Sequence, residues 1–354
     1  MFKNAVILFA AAIFVAGCAS EKPLPPDWQA KPAVSATQPN KINVPPPVKT
    51  NLPPAKPIAP VTTWIPLAQW AAQHHLGKPR RIADSPVATY SISSTNGTMT
   101  LEIGSREASW NGIQVALGFA PELIDGEISL YGVDLQKNLQ PLLCAPAISF
   151  PQSNRVIVID PGHGGSNVGT HSALDGRFEK EFTLDVALRL KPLLETNGWT
   201  VFLTRSTDED FANSNRVTFA DEHHADVFIS LHFNATATRD PNTGGIETYC
   251  VTPRGMPSTM TRGYSDPWLA NLPANEFDEP SLQLAVKIQS ALVRATGLED
   301  RGVCRARFMT VLQGQHRPAI LVEAGYLSNP EEAKKIESAD YRQKISETIA
   351  EALK

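Results

Sequence analysis

The chain of 354 residues is poor in cysteine, with four. They form no Cys-x-x-Cys pair and no Cys/His cluster, which argues against a thiolate zinc site. An excess of charge of either sign is also missing. The 32 Lys and Arg against 36 Asp and Glu leave a net charge of -4, so there is no basic bias toward nucleic acid. Long apolar runs are scarce as well. Ala5 to Val15 is apolar but too short to cross a bilayer, and it follows the short basic stretch Met1-Phe-Lys-Asn; together these read as the start of an export signal. A phosphate-binding loop at Gly162–Thr170 is excluded because no lysine precedes the threonine. At 42% hydrophobic residues the chain is an ordinary globular type with room for two domains.

Behind the apolar run stands Val15-Ala-Gly-Cys18. It resembles the lipobox of bacterial lipoproteins, in which the cysteine is lipidated and becomes the first residue after cleavage; ordinary secretory cleavage nearby is the alternative. No Asp follows Cys18 where such lipoproteins carry one for inner-membrane retention. The resemblance therefore implies a periplasmic protein anchored through Cys18 in the outer membrane, with residues 1–18 as the signal peptide. Twelve of the 29 prolines fall between Glu21 and Val61, with almost no apolar periodicity. Residues 19–61 are expected to be a disordered, Pro-rich tether reaching on the order of 100 Å at about 3.1 Å per residue.

Residues 62–147 change character. A short amphipathic helix is predicted from about Pro66. Asn96-Gly97, Asn111-Gly112 and Asp125-Gly126 then separate alternating runs, a strong hairpin pattern. The stretch reads as a small α+β domain, similar in pattern to the stalk-type domain at the amino terminus of copper amine oxidases.

From residue 148 to 354 strands and helices alternate, which predicts an α/β fold with a mostly parallel sheet flanked by helices. Strands are expected at Val156–Ile159, Thr200–Thr204, Val227–His232, Gly245–Cys250, Phe308–Leu312 and Ala319–Glu323. Helices are expected at Glu179–Thr196, Asn215–His223, Ser281–Thr296 and Asp340–Leu353, with Pro192 kinking the first. Three apolar runs end on chemistry-bearing residues: the first leads into His163, the second ends on His232, the third on Glu323. Strand ends of an open α/β sheet are where ligands bind, and two imidazoles with carboxylates there point to a catalytic metal site. Arg205 and Asp208 read as a structural pair, and His223-His224 as solvent-facing. Cys250 and Cys304 are either a disulfide or buried free thiols.

The motifs carry a resemblance to a family. Asp160-Pro-Gly-His-Gly-Gly165, Phe178-Glu-Lys-Glu-Phe-Thr-Leu184, Ser230-Leu-His-Phe-Asn-Ala235 and Ile320-Leu-Val-Glu-Ala-Gly-Tyr-Leu-Ser-Asn-Pro330 resemble the zinc-dependent N-acetylmuramoyl-L-alanine amidases of the type 3 family. The resemblance implies Zn²⁺ held by His163, Glu179 and His232, with Glu323 catalytic. It favours Glu179 over Glu181 as the carboxylate ligand. Asn234 is a candidate substrate contact or a turn cap. The implied partners are peptidoglycan, a membrane through the lipid anchor and no nucleic acid, with a protein activator left open. The implied reaction cuts the amide between the lactyl group of N-acetylmuramic acid and L-alanine of the stem peptide, in wall remodelling and daughter-cell separation. Some relatives carry an inhibitory helix in the stretch between Thr252 and Pro280; here that stretch is rich in Pro and Gly, with little helical pattern.

Overall fold

Strands buried on both faces read as continuous β-branched runs, and Val156-Ile-Val-Ile159 is one. Its residues alternate between two hydrophobic cores. Ile157 and Ile159 enter the larger core, while Val158 enters a second one on the other face. A computed structural model describes residues 63–150 and 153–354. The expected signal peptide, Cys18 and the tether lie outside the described residues.

The amino-terminal part comprises β1 (Trp64–Pro66), α1 (Leu67–Gln73), β2 (Arg80–Ala83), β3 (Thr89–Ser93), β4 (Thr98–Glu102), β5 (Glu107–Trp110), β6 (Ile113–Ala116), β7 (Glu122–Ile124) and β8 (Glu127–Tyr131). Short helices α2 (Gly132–Asp134) and α3 (Gln140–Leu143) follow, joined by a π-helical turn at Leu135–Leu139. Two of the three hairpin dipeptides form a tight turn, while Asn96-Gly97 lies in a four-residue connection between β3 and β4 in which only Gly97 has a positive φ. Asn111-Gly112 and Asp125-Gly126 each place two successive residues at positive φ, 51° and 87° in the first and 51° and 81° in the second, as a tight two-residue turn requires.

The remainder comprises β9 (Arg155–Pro161), α4 (Glu179–Thr196), β10 (Trp199–Leu203), α5 (Asn213–Glu222), β11 (Val227–Asn234), β12 (Ile246–Val251), α6 (Asp278–Thr296), β13 (Asp300–Ala306), α7 (Thr310–Gln313), β14 (Ala319–Tyr326), α8 (Pro330–Glu337) and α9 (Ala339–Ala352). Helices α4, α6 and α9 pack on one face of the sheet, and α5 and α7 pack together at the other. The fold is α/β, and its pairings are parallel except where β12 runs antiparallel to β14. Helix α4 continues through Pro192 to Thr196.

One expected strand is misplaced. Phe308–Leu312 is not extended: Thr310–Gln313 is the short helix α7, and the strand lies just before it, at Asp300–Ala306. Its sequence, Asp-Arg-Gly-Val-Cys-Arg-Ala, reads as polar because it buries charge. Arg305 is fully buried, and its guanidinium donates to Asn138 Oδ1, the Lys137 carbonyl and Cys250 Sγ. No hydrophobic pattern announces such a strand.

The two halves share one sheet. Its order is β10-β9-β11-β14-β12-β13-β6-β5-β4-β3-β2, while β1, β8 and β7 form a separate three-stranded sheet. Strand β6 pairs with β13 through Val115 and Val303. All described residues fall in one compact unit. Cys250 and Cys304 are both free thiols. The pairing sets Tyr249 opposite Cys304 and Cys250 opposite Arg305, so the two thiols point to opposite faces of the sheet.

Candidate metal centre

Parallel pairing brings the three chemistry-bearing strand ends to one edge. Strand β11 lies between β9 and β14. Its Ser230 pairs with Asp160 of β9, and its His232 pairs with Glu323 of β14. His163 sits two residues beyond β9, and Glu179 is the first residue of α4. One ligand atom each from His163, Glu179 and His232 lies within 4.8 Å of the others. Glu179 is wedged between the rings: its Oε2 faces His163 Nε2 at 3.0 Å, and its Oε1 faces His232 Nδ1 at 2.9 Å.

The far nitrogen of each ring is bonded outward. His163 Nδ1 lies 2.9 Å from Asn167 Oδ1. His232 Nε2 lies 3.2 Å from Ser230 Oγ, whose hydroxyl donates to Asp160 Oδ2 at 2.7 Å. With its own proton given to Asp160, Ser230 accepts from His232. With each outer nitrogen bonded elsewhere, the inward nitrogens that contact Glu179 are the ones placed to ligate a metal. The glycines allow the approach. A Cβ on Gly162 would lie 2.3 Å from the His232 ring, and one on Gly169 would lie 2.5 Å from Glu179 Oε2.

Electrostatics supports the same reading. Glu179 is 4% exposed. Burial would raise its pKa, but hydrogen bonds and charge from the two imidazoles outweigh it and hold the carboxyl well below the usual range. It also accepts from the Thr170 and Phe233 amides and stands at the positive end of a helix. Burial pushes His232 down. At His163 burial acts in the same direction but is outweighed by the hydrogen bond and charge of Glu179, which raise it. A carboxylate between two imidazoles is a donor set that fits a divalent cation of the zinc class. The neighbouring acid plays a different part. Glu181 Oε1 turns back to accept from the Phe178 amide at 3.1 Å, satisfying the helix end.

Glu323 lies in the same cleft, an opening of about 640 Å³ lined also by Arg262, Tyr264, Phe308 and Asn234. It is 6% exposed, and its Oε2 has no hydrogen-bond partner. Burial, with the negative charges of Glu179 and Glu247, raises its pKa well above the usual value, against the opposing charge of Arg262. Asn234 lines the cleft too, but its amide is committed. Nδ2 donates to Glu247 Oε2 and the Tyr326 hydroxyl, and Oδ1 accepts from the Ala235 amide and from Arg262.

His163 has a φ of 64°, a left-handed conformation that persists only where its surroundings over-determine it. Arg205 donates to the Pro161 and Gly162 carbonyls, and Arg216 to the His163 carbonyl. Arg216 also forms a buried ion pair with Asp160, whose Oδ1 accepts from Thr204 Oγ1 as well. Arg205 is therefore a clamp on the His163 turn, not the partner of Asp208, which pairs instead with Lys180 at 2.6 Å. Sequence patterns alone do not assign Asp160, Ser230 and Arg216 to the site. The usable signal is Asp160 itself, since an acid closing an apolar strand needs a buried partner. His223, expected to face solvent, is half-buried and packs its ring on Phe202 and Phe219.

The model of a family described as N-acetylmuramoyl-L-alanine amidase matches residues 157–354, more than half of the chain. The chain is 32% identical over 235 residues to the N-acetylmuramoyl-L-alanine amidase LytC of Bacillus subtilis, covering 64% of this chain and 42% of that protein. It is 29% identical to AmiC of Escherichia coli O6:H1, covering 62% of this chain and 58% of that one. The match thus spans about half the length of these two relatives. Among solved structures, an N-acetylmuramoyl-L-alanine amidase from Clostridium difficile 630 superimposes with a TM-score of 0.47 at 30% identity, covering 57% of this chain and 95% of that one.

Proposed function

This chain belongs to the N-acetylmuramoyl-L-alanine amidase family, and from that premise we propose that it is a zinc-dependent peptidoglycan hydrolase. The bond cut is the amide between the lactyl group of N-acetylmuramic acid and the L-alanine of the stem peptide. The observation that carries this reading is the convergence of His163, Glu179 and His232 on one point, with Glu323 in the same cleft. Zinc, when bound there, supplies Lewis acidity to the scissile carbonyl and lowers the pKa of a water.

The chain's own groups do the rest. Glu323 accepts the proton of the attacking water and returns it to the departing L-alanine amine. Its raised proton affinity suits both halves of that shuttle. Asp160, through Ser230, orients the His232 ring. Arg205 and Arg216 hold the turn that aims His163. In the proposed setting the protein is exported, lipidated at Cys18 and held by residues 19–61 at a distance from the membrane. It remodels the wall and helps to separate daughter cells.

Digestion of purified peptidoglycan with and without chelator, read by mass spectrometry, tests the reaction. New L-alanine amino termini that vanish with chelator are expected. Amines released only from within the stem would mean a peptidase instead.

A further inference from the structure

The stretch between β12 and α6 forms a part of the cleft wall to which the reaction above assigns no role. It contains no helix between residues 252 and 272. It is a strap pinned at its base by Arg307, which pairs with Asp266 at 2.5 Å and donates to the Pro253 and Met256 carbonyls. Ser258 adds hydrogen bonds to both oxygens of Asp266. At the tip, Arg262 and Gly263 take left-handed conformations, with φ of 48° and 80°. That reversal turns Arg262 and Tyr264 toward one ring. The Arg262 guanidinium lies 5.4 Å from the Phe308 centroid, and Tyr264 stacks on the same ring at 5.7 Å.

Arg262 is held by fewer hydrogen bonds than Arg216, Arg239 and Arg307 near the site. Arg216 is paired with Asp160, Arg301 with Glu247 and Arg307 with Asp266. Arg239 is bonded to the Thr170 hydroxyl and the His171 carbonyl. Among the described residues Arg262 has no carboxylate partner, and one hydrogen bond holds it: NH2 donates to Asn234 Oδ1 at 3.2 Å. That acceptor is itself fixed, because the Asn234 amide donates to Glu247 and Tyr326. The guanidinium is thus oriented by a ring and an amide, while its other N–H groups have no acceptor among the described residues. It lines the same cleft as Glu323. An oriented, unpaired guanidinium fork presents the geometry that takes a carboxylate in two hydrogen bonds.

We propose that Arg262, seated on Phe308 and held by Asn234, is a specificity residue that binds a free carboxylate of the stem peptide. The proposal rests on the amidase reading and adds to it a preference for acidic over amidated stems. Asn234 then acts on substrate indirectly, as the positioning residue for Arg262.

The test uses two synthetic N-acetylmuramoyl peptides that differ only in one stem carboxylate, free or capped as the primary amide. The zinc-loaded full-length chain is assayed for kcat/KM on both. Calorimetry also gives Kd for the two corresponding free peptides. Wild type is expected to favour the free acid by about 10-fold to 100-fold, mostly in KM and Kd, the size of a charge-assisted hydrogen-bonding pair. Arg262→Gln should bring both ratios close to one, and Arg262→Lys, which keeps charge without the fork, should fall between. Zinc content and circular dichroism of the variants establish that they fold. A wild-type chain that does not discriminate, or an Arg262→Gln variant that keeps the wild-type ratio, overturns the assignment. A chain that cleaves neither substrate sinks the amidase reading, and the two Kd values then judge Arg262 by themselves.

Discussion

Adding one methyl group at Gly162 should weaken the metal site without unfolding the protein. The Cβ of an alanine there would lie 2.3, 2.4 and 2.7 Å from three atoms of the His232 ring. Ordinary contact between such atoms needs about 3.5 Å, so the ring must retreat by about 1 Å. It has no slack in which to do so. Its Nδ1 is 2.9 Å from Glu179 Oε1 and its Nε2 is 3.2 Å from Ser230 Oγ. A shift of that size takes at least one of these contacts out of hydrogen-bonding range. Losing the orientation of a ligating histidine costs about 10-fold to 100-fold in metal affinity. Overpacking itself costs about 1–3 kcal/mol of stability. Gly162 has no positive φ, so the effect is steric contact with the ligand and not backbone strain. Zinc affinity by competition with a chromophoric chelator, alongside a thermal melt of the metal-free chain, separates the two costs. A Gly162→Ala chain that binds zinc as tightly as wild type would refute the reasoning, because His232 would then not need its observed position.

Three further outcomes follow from the geometry and the sequence. Glu323→Gln should keep zinc, measured by elemental analysis, while dye release from labelled peptidoglycan falls by at least about 10²-fold; loss of zinc would make Glu323 a ligand. Burial raises Asp134 to about 6, against hydrogen bonds from the Gly118 and Phe119 amides and Asn138. An acid whose folded pKa is raised contributes stability that is fully present below its unfolded value of 3.8 and lost as pH rises through about 6. Urea unfolding of Asp134→Asn against wild type should therefore tilt in favour of the variant by about 3 kcal/mol from pH 3.5 to 7, and a difference flat with pH would count against the shift. If the lipid anchor proposed above holds, Cys18→Ala should move the protein from the membrane to the soluble fraction; unchanged sedimentation with membranes would remove the anchor.

What the sequence disclosed, it disclosed for physical reasons. Apolar runs that end on His163, His232 and Glu323 mark buried parallel strands, and burial is what forces a period-free apolar run. The hairpins were legible because Asn-Gly and Asp-Gly tolerate positive φ at little cost. Strand β13 was not legible, because its buried Arg305 is satisfied by Asn138 and Cys250 from distant parts of the chain. The network behind the ligands failed to appear for the same reason. Asp160, Thr204, Arg216 and Ser230 come from four separate stretches, and only folding places them in one hydrogen-bonded group. Arg262 could not be singled out either, since its distinction is a guanidinium held by one hydrogen bond and an aromatic ring, and not its local sequence.

The pairing of β6 with β13 also decides where the large sheet ends. A fragment starting near residue 157 would end its sheet at β13, a seven-residue strand with unpaired backbone groups along one side. Such an edge is a template for pairing with other chains. In the longer chain β6 meets this edge at Val115 and Val303, and the sheet continues to β2, four residues that begin with exposed Arg80 and Arg81. A short edge bearing two cations resists strand addition. Strands β2–β6 then act as a guard against aggregation, and shortened forms should lose solubility before they lose the His163–Glu179–His232 cluster.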